Sequence, residues 1–268
     1  MRHGIRSGSA NTACLRMKIP FPKKKVSHEV AERELAILER TYPHAETALH
    51  YDDPFQLLIA VILSAQTTDA RVNMTTPALF AKYPDAKTLA KAKQPDVERI
   101  VKSTGFFRMK AKNIISAARD LVERHGGEVP KDREELEALA GVGRKTASVV
   151  MGAAFHEAAL PVDTHVFRVS HRLGLTLAKD PLGVEKDVTA LVPREKWRFA
   201  SHWLILHGRE ICKAPTPLCA RCPVKEICPT PPIIAKLNAT TAAGRIRRGA
   251  KAAAARRPAR STSAKKKR

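Results

Sequence analysis

Apolar side chains recur along this chain with helical rather than strand spacing. After Ser27, a residue type that caps helix N-termini, Val30, Leu35, Ile37 and Leu38 fall on a helical repeat. Asp53-Pro54 opens a second helix, with proline in the first turn, where a missing N–H is tolerated. The run that follows (Phe55, Leu57, Leu58, Ile59, Val61, Ile62, Leu63) is apolar nearly all round, as a buried central helix would be. Further helices are predicted near 69–82, 86–92, 95–102, 108–125, 132–139, 144–155, 164–173, 184–191 and 196–211. Asp132, with Glu135 three residues on, has the form of a capping box. Breaks fall at Pro84, Gly105, Gly126-Gly127, Gly141, Pro161, Gly174 and Pro193. No convincing pair of alternating strands appears, so the predicted class is all-α.

Charge adds a partner to this picture. The 268 residues carry a formal net charge of +22, which points to a polyanion. Residues 1–26 hold seven Lys/Arg and no acid, and residues 233–268 hold twelve and no acid. The middle is left with 29 basic and 26 acidic side chains, so the excess sits in two tails. Both tails, 1–26 and 232–268, are expected to be disordered and to add non-specific phosphate attraction. The N-terminus has no apolar segment of secretory type, although its acid-free, Arg- and Ser-containing character leaves organellar targeting open. Met17 is a second candidate start. No apolar run is long enough to span a membrane.

Chemistry concentrates in three places. Leu139-Ala140-Gly141-Val142-Gly143 lies between two predicted helices, where the glycines permit a tight turn and Val142 can turn inward as an anchor. The helix that starts there would present free N–H groups and its positive dipole end to a phosphate, with Arg144 and Lys145 alongside. An ordinary helix-turn-helix corner uses glycines in the same way. Asp163 follows Lys145 by eighteen residues and opens another helix. It can serve as an N-cap and remain an ionised carboxylate for chemistry. Cys212, Cys219, Cys222 and Cys228 are spaced C-x6-C-x2-C-x5-C. Four thiols so close mark a metal or cluster site, and geometry alone leaves zinc and an iron–sulfur cluster both open. Cys14 is expected to be a free thiol.

Leu139 to Ala147 resembles the helix-hairpin-helix of DNA glycosylases, departing only at Ala140, where that pattern has proline. Val162 to Val169 resembles the catalytic-aspartate segment of the endonuclease III family, although the preceding loop, 156–161, lacks the glycine often found there. The cysteine spacing resembles that family's [4Fe–4S] site. Leu63-Ser64-Ala65-Gln66 resembles its glutamine loop, with Asp69 expected to cap the next helix. Gly105-Phe106 resembles the loop that supplies its intercalating wedge, and Phe106 and Phe107 are not both expected to be buried.

The resemblance covers residues 27 to 230 and implies two helical domains with a DNA cleft between them. A six-helix domain would span 47–157, and a cluster domain 27–46 with 158–231. It implies a monomeric bifunctional DNA glycosylase/AP lyase that flips an oxidised pyrimidine out of damaged double-stranded DNA. Lys145 would form a Schiff base, with its pKa lowered by desolvation, and Asp163 would assist. Gln66, Phe106, Gly141, Val142, Gly143, Arg144, Thr146 and His165 would meet DNA, while the four cysteines hold a [4Fe–4S] cluster. In a bacterium its place would be the cytoplasm, with the nucleoid. A water-using glycosylase without a nucleophilic lysine, and a hairpin that only binds DNA, are the competing readings.

Overall fold

The structure is a computed structural model that describes residues 19–240; Cys14, Met17, residues 1–18 and the tail beyond 240 lie outside them. Among the described residues eleven α-helices follow in order, α1 (His28–Thr41), α2 (Pro54–Ser64), α3 (Asp69–Lys82), α4 (Ala86–Ala90), α5 (Gln94–Val101), α6 (Phe107–His125), α7 (Arg133–Glu137), α8 (Arg144–Ala154), α9 (Thr164–Leu173), α10 (Pro181–Thr189) and α11 (Trp197–Glu210), and a helical run over 230–240 comes after them. No strand occurs among the described residues, and the class is all-α.

Side-chain caps set most of the helix starts. Ser27, Asp53, Asp132 and Asp163 accept backbone N–H groups as N-caps. Asp69 is not the cap of α3: the Thr68 hydroxyl takes the Arg71 N–H, and Asp69 is the first helical residue. The reciprocal capping box belongs to Asp85 and Thr88, at the start of α4. The α10 helix begins three residues earlier than expected, because Asp180 caps it and Pro181 fills its first position.

Two apolar cores organise the chain. The α2–α8 segment builds the first around α2, whose Leu57, Leu58, Ile59 and Leu63 are completely buried and which packs against α3, α6 and α8. Each such side chain contributes roughly 1.5–3 kcal/mol of burial. The second core joins α1 to α9, α10 and α11 through Leu38, Val166, Val169, Val188 and Leu204. The chain crosses between the cores at 155–163, where His156 adopts φ 58°. A histidine thus takes the left-handed backbone for which the loop has no glycine.

Two expectations about the tails change. Residues 19–26 lie against the second core: Phe21 stacks on His171 with ring centroids 4.7 Å apart, the Val26 N–H donates to the Gly174 carbonyl at 3.0 Å, and Lys25 pairs with Asp187 at 2.7 Å. At the other end, 230–240 is helical, so 232–240 is not an unstructured tail. No helix among the described residues is long and apolar enough to cross a membrane.

Candidate active site and cysteine centre

The hairpin between α7 and α8 is anchored by Leu139 and Val142, both buried, and by the Val142 N–H to the Leu139 carbonyl at 3.1 Å. Its two glycines do different jobs. Gly141 sits at φ 81°, and a Cβ there would lie 2.9 Å from the Asn113 side-chain nitrogen. Gly143 needs no positive φ; it is the extended N-cap of α8, with open space where a side chain would be. No side chain caps α8, which leaves the N–H groups of its first turn without a partner inside the helix.

Lys145 projects from that first turn and Asp163 from the N-cap of α9. They line one open cleft of about 640 Å³, together with Glu46, Ser64, Asp69, His202 and Arg209. Asp163 Oδ1 accepts the N–H groups of His165 and Val166, both at 2.8 Å. No ion pair joins Lys145 to Asp163 among the described residues, and Lys145 is exposed. The protein alone therefore does not supply the desolvation expected for this lysine.

Glu46, His202 and Arg209, which line the cleft, had no marker in the sequence. Asp69 and Arg209 pair at 3.0 Å and tie α3 to α11 across it. Burial lowers the His202 pKa, opposed by the Glu46 carboxylate. Glu46 lies on the loop before α2, Asp69 on α3, and His202 and Arg209 on α11, so only tertiary structure assembles them.

The remaining predicted residues divide. Gln66 is exposed on the loop after α2, with φ 55°, and Phe106 is exposed at the start of α6, with φ 44°. Phe107 turns toward the first core, so the adjacent aromatics are split as expected. Thr146 is half-buried in the first turn of α8. Arg144 is not a free cation: its guanidinium grips Glu185 of α10 through two bonds, at 3.0 and 3.2 Å. This pair raises the arginine pKa and bridges hairpin to second core. His165 is outside the cleft lining, beside Arg168 and against Gly208, and burial lowers its pKa.

The four clustered cysteines line one pocket with Arg172 and His207. Among the described residues, no three metal-ligating side chains are grouped closely enough for a single ion. A tetrahedral zinc with bonds near 2.3 Å would hold its sulfurs about 3.8 Å apart. Burial pushes the thiol pKa of Cys222 up to about 11 and of Cys228 up to about 12, and raises that of Cys219. Such thiols become thiolates only against a bound cationic group. The surroundings suit that charge. Arg172, almost fully buried, donates to the Cys212 carbonyl at 3.2 Å and to its Sγ at 3.6 Å, with no acid paired to it among the described residues. His207 Nε2 lies 3.6 Å from Cys222 Sγ.

Residues 59–194 match the family described as HhH-GPD superfamily base excision DNA repair protein. The endonuclease III of Synechocystis sp. is 52% identical over 197 residues, covering 73% of this chain and 90% of that protein. The chain belongs to the endonuclease III family. The Escherichia coli endonuclease III is 46% identical over 197 residues, covering 72% of this chain and 92% of its own length. A solved endonuclease III, trapped as a covalent intermediate with DNA, superposes with a TM-score of 0.74 at 42% identity, covering 76% of this chain and 97% of its own. In this endonuclease III homologue the matched family segment runs from within α2 through the hairpin to just past α10, so it contains both Lys145 and Asp163.

Proposed function

We propose that Lys145 and Asp163 are the working pair of this enzyme and that the cleft between the two cores receives an extruded DNA base. As an endonuclease III homologue, the chain is a base excision repair DNA glycosylase with AP lyase activity. The observation that carries the residue assignment is that one cleft is lined by a lysine from one core and a carboxylate from the other.

The chemistry follows from this pair. A stacked base must first leave the duplex. Free N–H groups at the start of α8 would hold a phosphate, with Gly143 leaving room for its approach. Gln66 would face the orphaned partner base, and Phe106 would fill the emptied stack. The DNA-contact set comprises these two with Gly141, Val142, Gly143, Arg144, Thr146 and His165. Lys145 Nζ would attack the sugar C1′, and the base would leave with the electrons of the glycosidic bond. Bound DNA would cover the exposed Lys145 and supply the desolvation that the protein lacks. Asp163 would accept the proton shed by the lysine and offset positive charge developing on the sugar. Opening of the sugar ring, in which the C1′–O4′ bond breaks and O4′ takes a proton, would give an iminium, and loss of its C2′ proton would then expel the 3′ phosphate by β-elimination. Oxidised pyrimidines are the proposed lesions.

Cys212, Cys219, Cys222 and Cys228 would hold a [4Fe–4S] cluster. The cysteine spacing resembles that of such a cluster, and the Arg172 N–H donor beside Cys212 Sγ suits its thiolate charge. The cluster would cross-link the loop after α11, which carries Lys213, Arg221 and Lys225 toward DNA. The proposed boundaries are a six-helix domain over 47–157 and a cluster domain over 27–46 with 158–231, acting as a monomer and, in a bacterium, beside the nucleoid. DNA binding is supported by solved endonuclease III structures in complex with DNA.

Borohydride trapping tests the assignment. The wild-type enzyme and an abasic duplex form a covalent adduct, and Lys145→Gln abolishes it. An adduct that persists in Lys145→Gln removes the lysine from its role.

A further inference from the structure

The two DNA-facing residues Gln66 and Phe106 are forty residues apart in sequence, and each stands on its own loop. Both hold a left-handed backbone that residues other than glycine rarely adopt, at φ 55° and φ 44°. Something must keep these loops in place, and one buried side chain touches both. Lys110, in the first turn of α6, is only 5% exposed. Its ammonium donates to the Thr67 hydroxyl at 2.7 Å and to the Thr104 carbonyl at 2.7 Å. Thr67 follows Gln66, and Thr104 precedes Phe106 by two residues. The Thr67 hydroxyl also donates to the same Thr104 carbonyl, closing a three-cornered contact. The Lys110 backbone N–H donates to the carbonyl of Phe106 itself at 3.1 Å.

No carboxylate pairs with this ammonium among the described residues. Burying an unpaired cation is unfavourable, and an apolar residue of similar length would pack there more simply. A lysine at this position therefore points to what its donors hold. A second contact, between the hydroxyls of Thr75 and Ser103 at 3.0 Å, fixes the adjoining turn to α3.

We propose, resting on the DNA-facing reading of Gln66 and Phe106, that Lys110 is a positioning residue that locks their two loops into a single wedge. The loops then enter the duplex together, so that one residue fills the stack as the other meets the orphaned base. Lys110 touches no reacting atom. Its effect is confined to opening the helix, and it falls away when the helix is already open.

The experiment compares two abasic substrates, one fully paired and one whose abasic site sits in a small unpaired bubble. Borohydride trapping rates are measured for wild type, Lys110→Met, Lys110→Arg and Thr67→Val, each first checked for its melting temperature. Lys110→Met should trap the paired substrate about 10- to 100-fold more slowly, the loss expected for hydrogen bonds from a charged donor. Its rate on the bubble should stay within about 3-fold of wild type. Lys110→Arg should recover part of the paired-substrate rate. A 2-aminopurine opposite the abasic site should brighten on binding wild type and stay dim with Lys110→Met. If Lys110→Met does not fold, Thr67→Val removes one corner of the contact and should show the same split more weakly. Equal losses on both substrates, or no loss on the paired one, overturn the proposal. Failure of wild type to form any adduct on either substrate would instead overturn the lysine chemistry.

Discussion

Replacing Asp163 by asparagine and by alanine separates two jobs held by one side chain. Asp163 Oδ1 accepts two N–H groups of α9 at 2.8 Å, and the same carboxylate lines the cleft with Lys145. Asparagine keeps an oxygen for both bonds and ranks with aspartate as an N-cap, whereas alanine keeps neither and costs about 1–2 kcal/mol of stability. For a chain of this size that is a fall in melting temperature of roughly 2–8 °C. The charge is a different matter. Asparagine cannot take a proton from the lysine or offset positive charge on the sugar, and losing both should slow base release about 100- to 10,000-fold. In barrier terms this is roughly 3–5 kcal/mol, well above the cap term. The assay is single-turnover base release from a duplex with one oxidised pyrimidine, run beside a DNA titration and a thermal melt. Asp163→Asn should melt and bind DNA like wild type yet fail to release base, while Asp163→Ala should lose both stability and activity. Wild-type base release by Asp163→Asn would refute the catalytic reading. A melt that matches Asp163→Ala would refute the claim that the amide preserves the cap.

Other perturbations have equally definite outcomes. Glu34 is completely buried in the second core, both carboxylate oxygens lack a partner, and burial lifts its pKa to about 9. The unfolded chain ionises near 4.5 and the folded one only near 9, so stability falls as pH rises through that window. At neutral pH the penalty is on the order of 3 kcal/mol. Urea unfolding of the holoenzyme should show Glu34→Leu gaining over wild type more at pH 8 than at pH 6, and a pH-independent difference would reject the burial argument. Glu185→Gln releases Arg144 from its two-bond grip and should steepen the plot of log binding constant against log salt by about one. An unchanged slope would show that Arg144 meets no phosphate. The wild-type protein should be yellow-brown, with about four iron atoms and matching acid-labile sulfide, and Cys219→Ser should lose colour and melt lower. A colourless wild type with one zinc would overturn the cluster.

Elements governed by a local rule are legible in the sequence itself. Helix starts at Ser27, Asp53, Asp132 and Asp163 follow from a side chain reaching back to its own backbone within three residues. The buried α2 follows from a run of apolar residues that leaves no polar face. Sequence and structure part where two local rules compete. Thr68 and Asp69 are both cap residues, and the one-residue choice turns on which can also serve a distant partner: Asp69, as the first helical residue, reaches Arg209. Pro181 reads equally as a break or as a first-turn proline, and Asp180 before it decides for the second.

The site itself is legible only where a motif carries it. Lys145 and Asp163 stand out because each sits in a short, ordered string of residues. Glu46, His202 and Arg209 do not, because no spacing along the chain relates them to the cleft; they meet only when the two cores face each other. The same limit applies to charge. The hairpin motif places Arg144 among the DNA contacts, yet its guanidinium is directed to Glu185, so a phosphate at the hairpin would meet backbone N–H groups first. Conversely Lys110, which looks like one more solvated lysine on an amphipathic helix, is buried against two loops. What a cation does is decided by the acceptors around it, and those are set by tertiary structure. Gln66 and Phe106 show the consequence. Each is recognisable alone, but their joint use depends on a buried ammonium that nothing in its local sequence distinguishes from its neighbours Arg108 and Lys112.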